Sequence, residues 1–381
     1  MAKPVDLLVP HPLRIQPSCK LFGLCGGCHL QHIPYQEQIR LKKEILFSIV
    51  KRPLNVNTAV KDCIPSLNCL GYRQRARLFI KQKGKKVRMG FYREGTRRLE
   101  SIDSCPILTT GINLALKKLK ETMVDMLHVA RGLCNVVFEE DVFKNTFITM
   151  NYKRQDIIGS LTQCLNEFSN ILGMDFRMLD NRIYFYRGSD SICFYKDQFF
   201  APKGLFCKPT SFFQANMEQN RILVKEVVHM IKETGEDCVV DFFCGSGNFS
   251  IPLARTGFRV TGVEIDESAI EMAKKNALLN RCSDNVIFLK ANLFKDGLNC
   301  LPIGQVNTVL LDPPRVGAKE LCQRISSMRP KNIVYVSCDP MTLARDMVLL
   351  GQQGYKLKML QPIDMFPQTF HIEIIALFNQ G

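Results

Sequence analysis

No apolar run in this 381-residue chain reaches the roughly 18 residues that a membrane helix needs. The opening stretch MAKPVDLLVPHPLR has too short an apolar core, and no small-residue cleavage site, for a secretory signal. The 16 cysteines lack the spacing of a secreted disulfide scaffold, so most are expected to be free, buried thiols in a reducing cytoplasm. Acidic residues are in deficit, 36 against 51 Lys and Arg, which leaves a net charge of +15. An excess of that size points to a polyanionic partner, because neutralising phosphates releases condensed counterions. A generally lysine-rich proteome is the plainer alternative. With 46% hydrophobic and 23% charged residues the chain is neither disordered nor fibrous, and its length allows two or three domains.

Three regions follow. Residues 1–60 hold a cysteine cluster and then PYQEQIRLKKEILFSIVKR, whose Ile39, Leu41, Ile45, Leu46 and Ile49 fit one helical face ending at Pro53. Residues 61–210 read as mostly strands. GYRQRARLFIKQKGKKVRMGFYREG alternates, turns at Lys-Gly-Lys-Lys and alternates again. Residues 71–100 contain eleven Lys or Arg and two acids, interleaved with Tyr72, Phe79, Phe91 and Tyr92. That mixture suits RNA, whose bases stack on rings while cations meet its phosphates. Arg73, Arg75, Arg77, Lys81, Tyr92 and Arg93 are the candidate contacts; a hairpin whose charges merely keep an edge soluble is the alternative. Residues 111–210 carry no sharp motif.

Residues 211–381 alternate helix and strand: QNRILVKEVVHMIKETG, DCVVDFF, FSIPLART, FRVTGVEI, DESAIEMAKKNALLNRC, NVIFLKA, NTVLLDPP and NIVYVSC, with helices near 319–328 and 341–353. Two strand-like runs close the chain. The pattern predicts an α/β, Rossmann-like domain with a mostly parallel seven-stranded sheet and an antiparallel edge.

Within it, DFFCGSGN sets Gly245 and Gly247 between a strand and a helix, where glycine lets backbone approach a ligand. Glu264 ends the next strand, 23 residues after Asp241, where a carboxylate can bind ribose hydroxyls. The third glycine of a nicotinamide-dinucleotide fingerprint is absent, since position 250 is Ser250, and so is the lysine of an ATP loop. S-adenosylmethionine, which has a ribose but no phosphate, fits better. Asp312, in LLDPPR, lies at another strand end over the same crevice, held by Pro313 and Pro314. Cys338, in NIVYVSCDP, ends a third strand just before a helix that Asp339 would cap and Pro340 would begin. A helix N-terminus favours a reactive thiolate, so Cys338 is the candidate nucleophile. A buried packing role is the alternative, and Cys244 competes for the chemical one.

In CKLFGLCGGC, Cys19, Cys25 and Cys28 supply three closely spaced thiols. Spacing alone leaves iron–sulfur and zinc both open.

DFFCGSGNFS, VEID, LDPPRVGA, YVSCDPMTLARD and DMFPQTFHIE together resemble the bacterial RNA uracil-5-methyltransferases. CKLFGLCGGCHLQH and GFYREGTRRLESIDSCPI resemble the branch that modifies 23S ribosomal RNA, and the likeness covers nearly the whole chain. It implies S-adenosylmethionine contacts at Gln214, Phe243, Asn248, Glu264 and Asp312, a nucleophile at Cys338 and a general base at Glu373. It also makes Cys105 the fourth ligand, with Cys19, Cys25 and Cys28, of a [4Fe–4S] cluster. Because the five-and-two spacing differs from that of radical enzymes, the cluster reads as structural, tying the N-terminal segment to the end of the basic hairpin. The chemistry implied is addition of the Cys338 thiolate to carbon 6 of uracil, methyl transfer to carbon 5, and removal of the carbon-5 proton by Glu373. The uridine must leave its stack, which favours an unpaired site.

Members of that branch often carry a small β-barrel RNA-binding (TRAM) domain before the cysteines; only 18 residues precede Cys19 here. A different ribosomal uridine, or the T-loop uridine of transfer RNA, is therefore an alternative target. A silent RNA-binding scaffold would need neither Cys338 nor Glu373, and an amine methyltransferase would more often show Asn-Pro-Pro where this chain has Asp-Pro-Pro.

Overall fold

A computed structural model describes residues 9–54, 60–125, 132–152, 173–178, 183–294 and 306–381. Residues 1–8, read above for a leader, and parts of the motif-poor 111–210 stretch lie outside the described residues.

The first sheet is built from β1 (Arg75–Lys83), β2 (Lys86–Tyr92), β3 (Leu99–Ser101), β4 (Leu133–Glu140), β5 (Thr146–Tyr152), β6 (Gly173–Met178) and β7 (Ile183–Gly188), in the order β3-β2-β1-β4-β5-β6-β7. The strands β1 and β2 form the expected basic hairpin, with Phe79 opposite Gly90 and Lys83 opposite Lys86. Side chains alternate across a strand, so Ala76, Leu78 and Ile80 point to one face and are buried. They pack on Ile112, Leu116, Leu119 and Met123, one stripe of the helix α2 (Thr110–Asp125). Arg75, Arg77, Phe79 and Lys81 are left on the other face.

The second sheet contains β10 (Cys238–Phe242), β11 (Arg259–Glu264), β12 (Val286–Lys290), β13 (Thr308–Leu311), β14 (Asn332–Ser337), β15 (Tyr355–Ile363) and β16 (Glu373–Gln380), in the order β12-β11-β10-β13-β14-β16-β15. The first five strands pair in parallel, and β16 runs antiparallel between β14 and β15. Near-continuous burial of β10, β13 and β14 is what a sheet covered on both faces requires. The covering helices include α3 (Met217–Glu233), α4 (Ser250–Arg255), α5 (Glu267–Leu279), a short α6 (Lys319–Cys322) and α7 (Pro340–Gln352). The long helix expected at 319–328 is instead α6 followed by a 3-10 turn, Ile325–Met328.

Packing crosses the regional boundaries expected at 60 and 210. The N-terminal helix α1 (Tyr35–Leu54), which runs one residue past Pro53, buries Leu46 and Val50 in the core shared by β13, β14 and α7. Residues 60–64 then lie along the free edge of β15, with Lys61 N donating to Leu360 O and Ile64 N to Pro362 O. The hairpin β8 (Ile192–Asp197) and β9 (Ala201–Cys207) shares one core with α3 and α5. Its Ile192 and Leu205 are apolar surface that the parallel sheet's helices cover. Among the described residues, no helix is long and apolar enough to cross a membrane.

Candidate active site

The parallel register brings the ends of β10, β13 and β14 level. Asp241 pairs with Leu310, and Leu311 with Tyr335, so the residues just beyond each strand meet at one rim. From β10 the chain enters a tight loop in which Phe243, Gly245 and Gly247 all take positive φ, 67°, 54° and 93°. A Cβ on Gly247 would come within 2.8 Å of Ile251, whereas one on Gly245 would stand in open space. The loop thus needs glycine at 247 for packing and presents bare backbone at 245.

Glu264, half-buried at the end of β11, accepts from Gly245 N at 3.0 Å through one oxygen and from Ile265 N and Asp266 N through the other. Three backbone donors aim it. Asn248 exchanges side-chain hydrogen bonds with Asn220 of α3, at 2.8 and 3.1 Å, a partner the sequence reading passed over. Gln214 is buried just before α3, in a stretch where Gln74 N donates to Ala215 O and Met217 N donates to the Gln74 side chain. Phe243 packs against Phe294, with ring centroids 5.6 Å apart.

Behind the loop, fully buried Asp241 accepts from Ser250 Oγ at 2.5 Å, and burial raises its pKa to about 7. Asp312 follows β13; desolvation and then the Asp241 charge raise it to about 7.

The antiparallel strand brings in the last carboxylate. Ser337 pairs with Ile374, so the next residue on each chain, Cys338 and Glu373, falls at the same level. Glu373 is 1% exposed, and desolvation followed by the Asp312 charge raises its pKa to about 8, with Arg315 opposing. A carboxyl poised near neutrality is what proton abstraction from carbon wants. Asp339 caps α7 as expected, accepting from Met341 N at 2.8 Å, with Pro340 in the first turn. The expected lowering of the Cys338 thiol is not found. Burial, then Glu373, push it up to about 11, and Arg315 only partly offsets this. Two carboxylates and desolvation outweigh the helix terminus. Cys244 is 4% exposed within the core and pushed well above the ordinary thiol value by burial.

Arg315 was missed in the sequence, although it stands three residues after Asp312 in the quoted LDPPR. Its loop is held by Asp346 of α7, which accepts from Ala318 N and from Tyr335 OH, while Arg345 donates to Val316 O at 2.9 Å.

Next to this rim, Cys19, Cys25, Cys28 and Cys105 line one cavity of about 250 Å³, whose wall also includes Arg315 and His371. Burial raises the Cys28 thiol to about 12, and the neighbouring Cys105, Cys25 and Cys19 add to it. Among the described residues, no group of three or more His, Cys, Asp or Glu side chains is arranged to hold a metal ion. The cavity touches the basic hairpin, as Gly26 N donates to Tyr92 O and Arg73 lines the wall.

The hairpin candidates differ from one another. Arg77 is exposed, and Lys81 lies over the Tyr92 ring at 5.6 Å. Arg93 is ion-paired with Glu100. Arg75 turns inward, donating to Ser211 O and Thr210 O, pairing with buried Glu139 at 3.2 Å and stacking on Phe213.

A sheet of this order with a glycine loop after its first strand and an acidic residue after its second defines an S-adenosylmethionine-dependent methyltransferase fold. Residues 34–380 match the tRNA (Uracil-5-)-methyltransferase family. The chain is 36% identical to the 23S rRNA (uracil(1939)-C(5))-methyltransferase RlmD of Legionella pneumophila (strain Lens), covering 100% of this chain and 86% of that protein. It is 31% identical to an uncharacterized RNA methyltransferase of Clostridium tetani, again over 100% and 86%. The crystal structure of the Pyrococcus abyssi tRNA (uracil-54, C5)-methyltransferase in complex with S-adenosyl-L-homocysteine superposes with a TM-score of 0.77, at 27% identity, over 98% of this chain and 88% of that one. The chain belongs to the RNA uracil-5-methyltransferase family.

Proposed function

We propose that this enzyme methylates carbon 5 of a uridine in 23S ribosomal RNA, with Cys338 as nucleophile and Glu373 as general base. The observation that carries the reading is the register of β14 against β16. It sets a thiol and a buried carboxyl of raised pKa side by side, 35 positions apart in sequence, at the rim that also holds Asp312 and Arg315.

Carbon 5 of uracil is a weak nucleophile. Addition of the Cys338 thiolate to carbon 6 breaks the 5,6 double bond and places its electron pair on carbon 5 and the carbon-4 oxygen. Bound S-adenosylmethionine supplies an electrophilic methyl group. Glu373 then takes the carbon-5 proton, the double bond re-forms and the carbon–sulfur bond releases Cys338. The glycine loop with Phe243, Asn248, Glu264, Gln214 and Asp312 would hold the cofactor, and the open space above Gly245 is consistent with a ligand there. Burial, then the Glu373 charge, hold the Cys338 thiol protonated, and the positive charge that S-adenosylmethionine would supply favours ionisation of a nearby thiol.

Residues 61–210 serve the RNA in this reading, through Arg73, Arg77, Lys81, Tyr92 and Arg93, with residues 211–381 as the catalytic unit. The four cavity cysteines, with the 1–60 segment, would hold a [4Fe–4S] cluster; their convergence on one cavity supports this. Iron and labile sulfide in anaerobically purified protein, lost in Cys28→Ser, are the expected result; stoichiometric zinc would replace the assignment.

The enzyme is tested with 23S ribosomal and transfer RNA transcripts containing 5-fluorouridine, plus S-adenosylmethionine. Fluorine cannot leave as a proton, so the adduct accumulates. A crosslinked ribosomal RNA band that Cys338→Ala abolishes is expected. A band only with transfer RNA moves the substrate, and none with either RNA removes the uracil-5 chemistry.

A further inference from the structure

The residues between β15 and β16 leave the sheet at Ile363 and re-enter it opposite, at Glu373, since those two positions pair. The excursion, residues 364–372, leads into Glu373. The ladder holds Glu373 itself opposite Ile363, whereas the excursion is held mainly by residues from the other end of the chain. Lys42 of α1 pairs with Asp364 at 2.5 Å, both side chains with 0% exposure, and also donates to Phe366 O at 3.1 Å. Tyr35 OH donates to the second Asp364 oxygen at 2.9 Å. Gln38, 1% exposed, accepts from Gln368 N and donates to the Gln368 side chain, both at 3.0 Å. The same Gln38 amide donates to Leu30 O and Ile33 O, while His29 N and Leu30 N donate to Gln368 O at 2.8 and 3.0 Å. Tyr72 OH donates to Pro367 O at 3.0 Å, Asn216 Nδ2 to Met365 O at 3.2 Å, and the loop's own Asp364 N to Ile64 O at 2.9 Å.

At the centre, Gln368 has φ of +68°, a conformation that a non-glycine residue keeps only where its surroundings over-determine it. A buried ion pair adds little net stability, because desolvation offsets the Coulombic gain. Its evident effect here is geometric: it fixes where the loop begins.

We propose that α1 and the cysteine segment form a brace on residues 364–372 that aims Glu373 at its proton, with Gln38, Lys42 and Asp364 as positioning residues. This rests on Glu373 being the base. The step it serves is the breaking of the carbon-5–hydrogen bond: the proton goes to Glu373, the C–H electron pair becomes the 5,6 double bond, and the carbon–sulfur pair returns to Cys338. A base misplaced by about 1 Å slows such a step about 10²-fold, while addition and methyl transfer, which do not use it, continue. The methylated RNA–protein adduct should therefore accumulate when the brace is cut.

The test uses the full chain with unmodified 23S ribosomal RNA and S-adenosylmethionine in single turnover, following the adduct on denaturing gels. One variant is Gln38→Met. The other is the double replacement Lys42→Met with Asp364→Leu, which leaves no unpaired buried charge and so keeps the fold testable. Glu373→Gln is run in parallel, with S-adenosylmethionine binding and thermal melting measured for all. Expected is cofactor affinity within about twofold of the parent and adduct decay slowed about 10²-fold in both brace variants. If Glu373→Gln itself accumulates no adduct, the base assignment fails and the brace has nothing to aim. If Glu373→Gln traps adduct while folded brace variants clear it at the parental rate, the brace alone is overturned. Joint loss of cofactor binding and adduct formation in both brace variants would also overturn it, as a general defect of the fold.

Discussion

Arg315 lies within electrostatic reach of both Cys338 and Glu373 and lowers the pKa of each. Replacing it with methionine should move the proton-abstraction step to higher pH without altering its limiting rate. Once Cys338 is bonded to carbon 6 it no longer titrates, so the decay of preformed adduct isolates Glu373. With a pKa of about 8, roughly one Glu373 in ten is ionised at pH 7. Loss of an interaction worth about 1.4 kcal/mol raises a carboxyl by on the order of one pKa unit. Loss of Arg315 then leaves about one in a hundred ionised at pH 7, a roughly tenfold slower decay, and the gap should close by about pH 10. The assay is adduct decay after a quench of excess cofactor, measured across pH. A limb that stays in place, or a deficit of equal size at every pH, would refute the electrostatic role and leave Arg315 a binding residue only.

Gly247→Ala should weaken S-adenosylmethionine binding at least tenfold by calorimetry, because a Cβ there meets Ile251 at 2.8 Å and φ is +93°; unchanged affinity would show that the loop is not the cofactor site. Glu373→Gln should stabilise the ligand-free protein at alkaline pH. The native state keeps a proton on Glu373 up to about pH 8 that the unfolded chain releases near its ordinary 4.5, so the parent loses stability across that window and the glutamine variant does not. Its melting temperature should match the parent near pH 4.5 and exceed it by a growing margin toward pH 8.5; a constant difference would contradict the raised pKa. Arg77→Ala should reduce the salt dependence of RNA binding by about one unit of log–log slope. Arg75→Ala should instead destabilise the protein by about 1.5–3 kcal/mol in denaturant melts, since it removes the ion pair of buried Glu139, which keeps its hydrogen bond from Thr210 N. The reverse pattern would place Arg75, not Arg77, on the RNA.

Much of residues 211–381 and of the basic hairpin was legible in the sequence because their signals are local. Glycine at 245 and 247 reports a backbone requirement, Asp339-Pro340 reports a helix start, and alternation in 75–83 reports which face of the hairpin is buried. Glu373 was legible only through the family resemblance; by itself it reads as a charge on an edge strand. Arg315 had a signal, being in the loop of Asp312, but no rule of spacing singles out an arginine after two prolines. The Cys338 thiol was misjudged because a helix terminus is visible in the sequence, whereas its burial and the neighbouring Glu373 are not.

Within residues 211–381 the sequence alone therefore determined most of the strand and helix order, the conformations of the glycine loop and the residue types available for chemistry, since each depends on neighbours along the chain. Tertiary structure decided which of them act together. The antiparallel return of β16 beside β14 makes Glu373 a neighbour of Cys338 and, by excluding water, lifts its pKa toward neutrality. Lys42 meeting Asp364, 322 positions away, ties the N-terminal helix to the loop that leads into Glu373. Charge and desolvation act through space, and only the folded chain sets those distances.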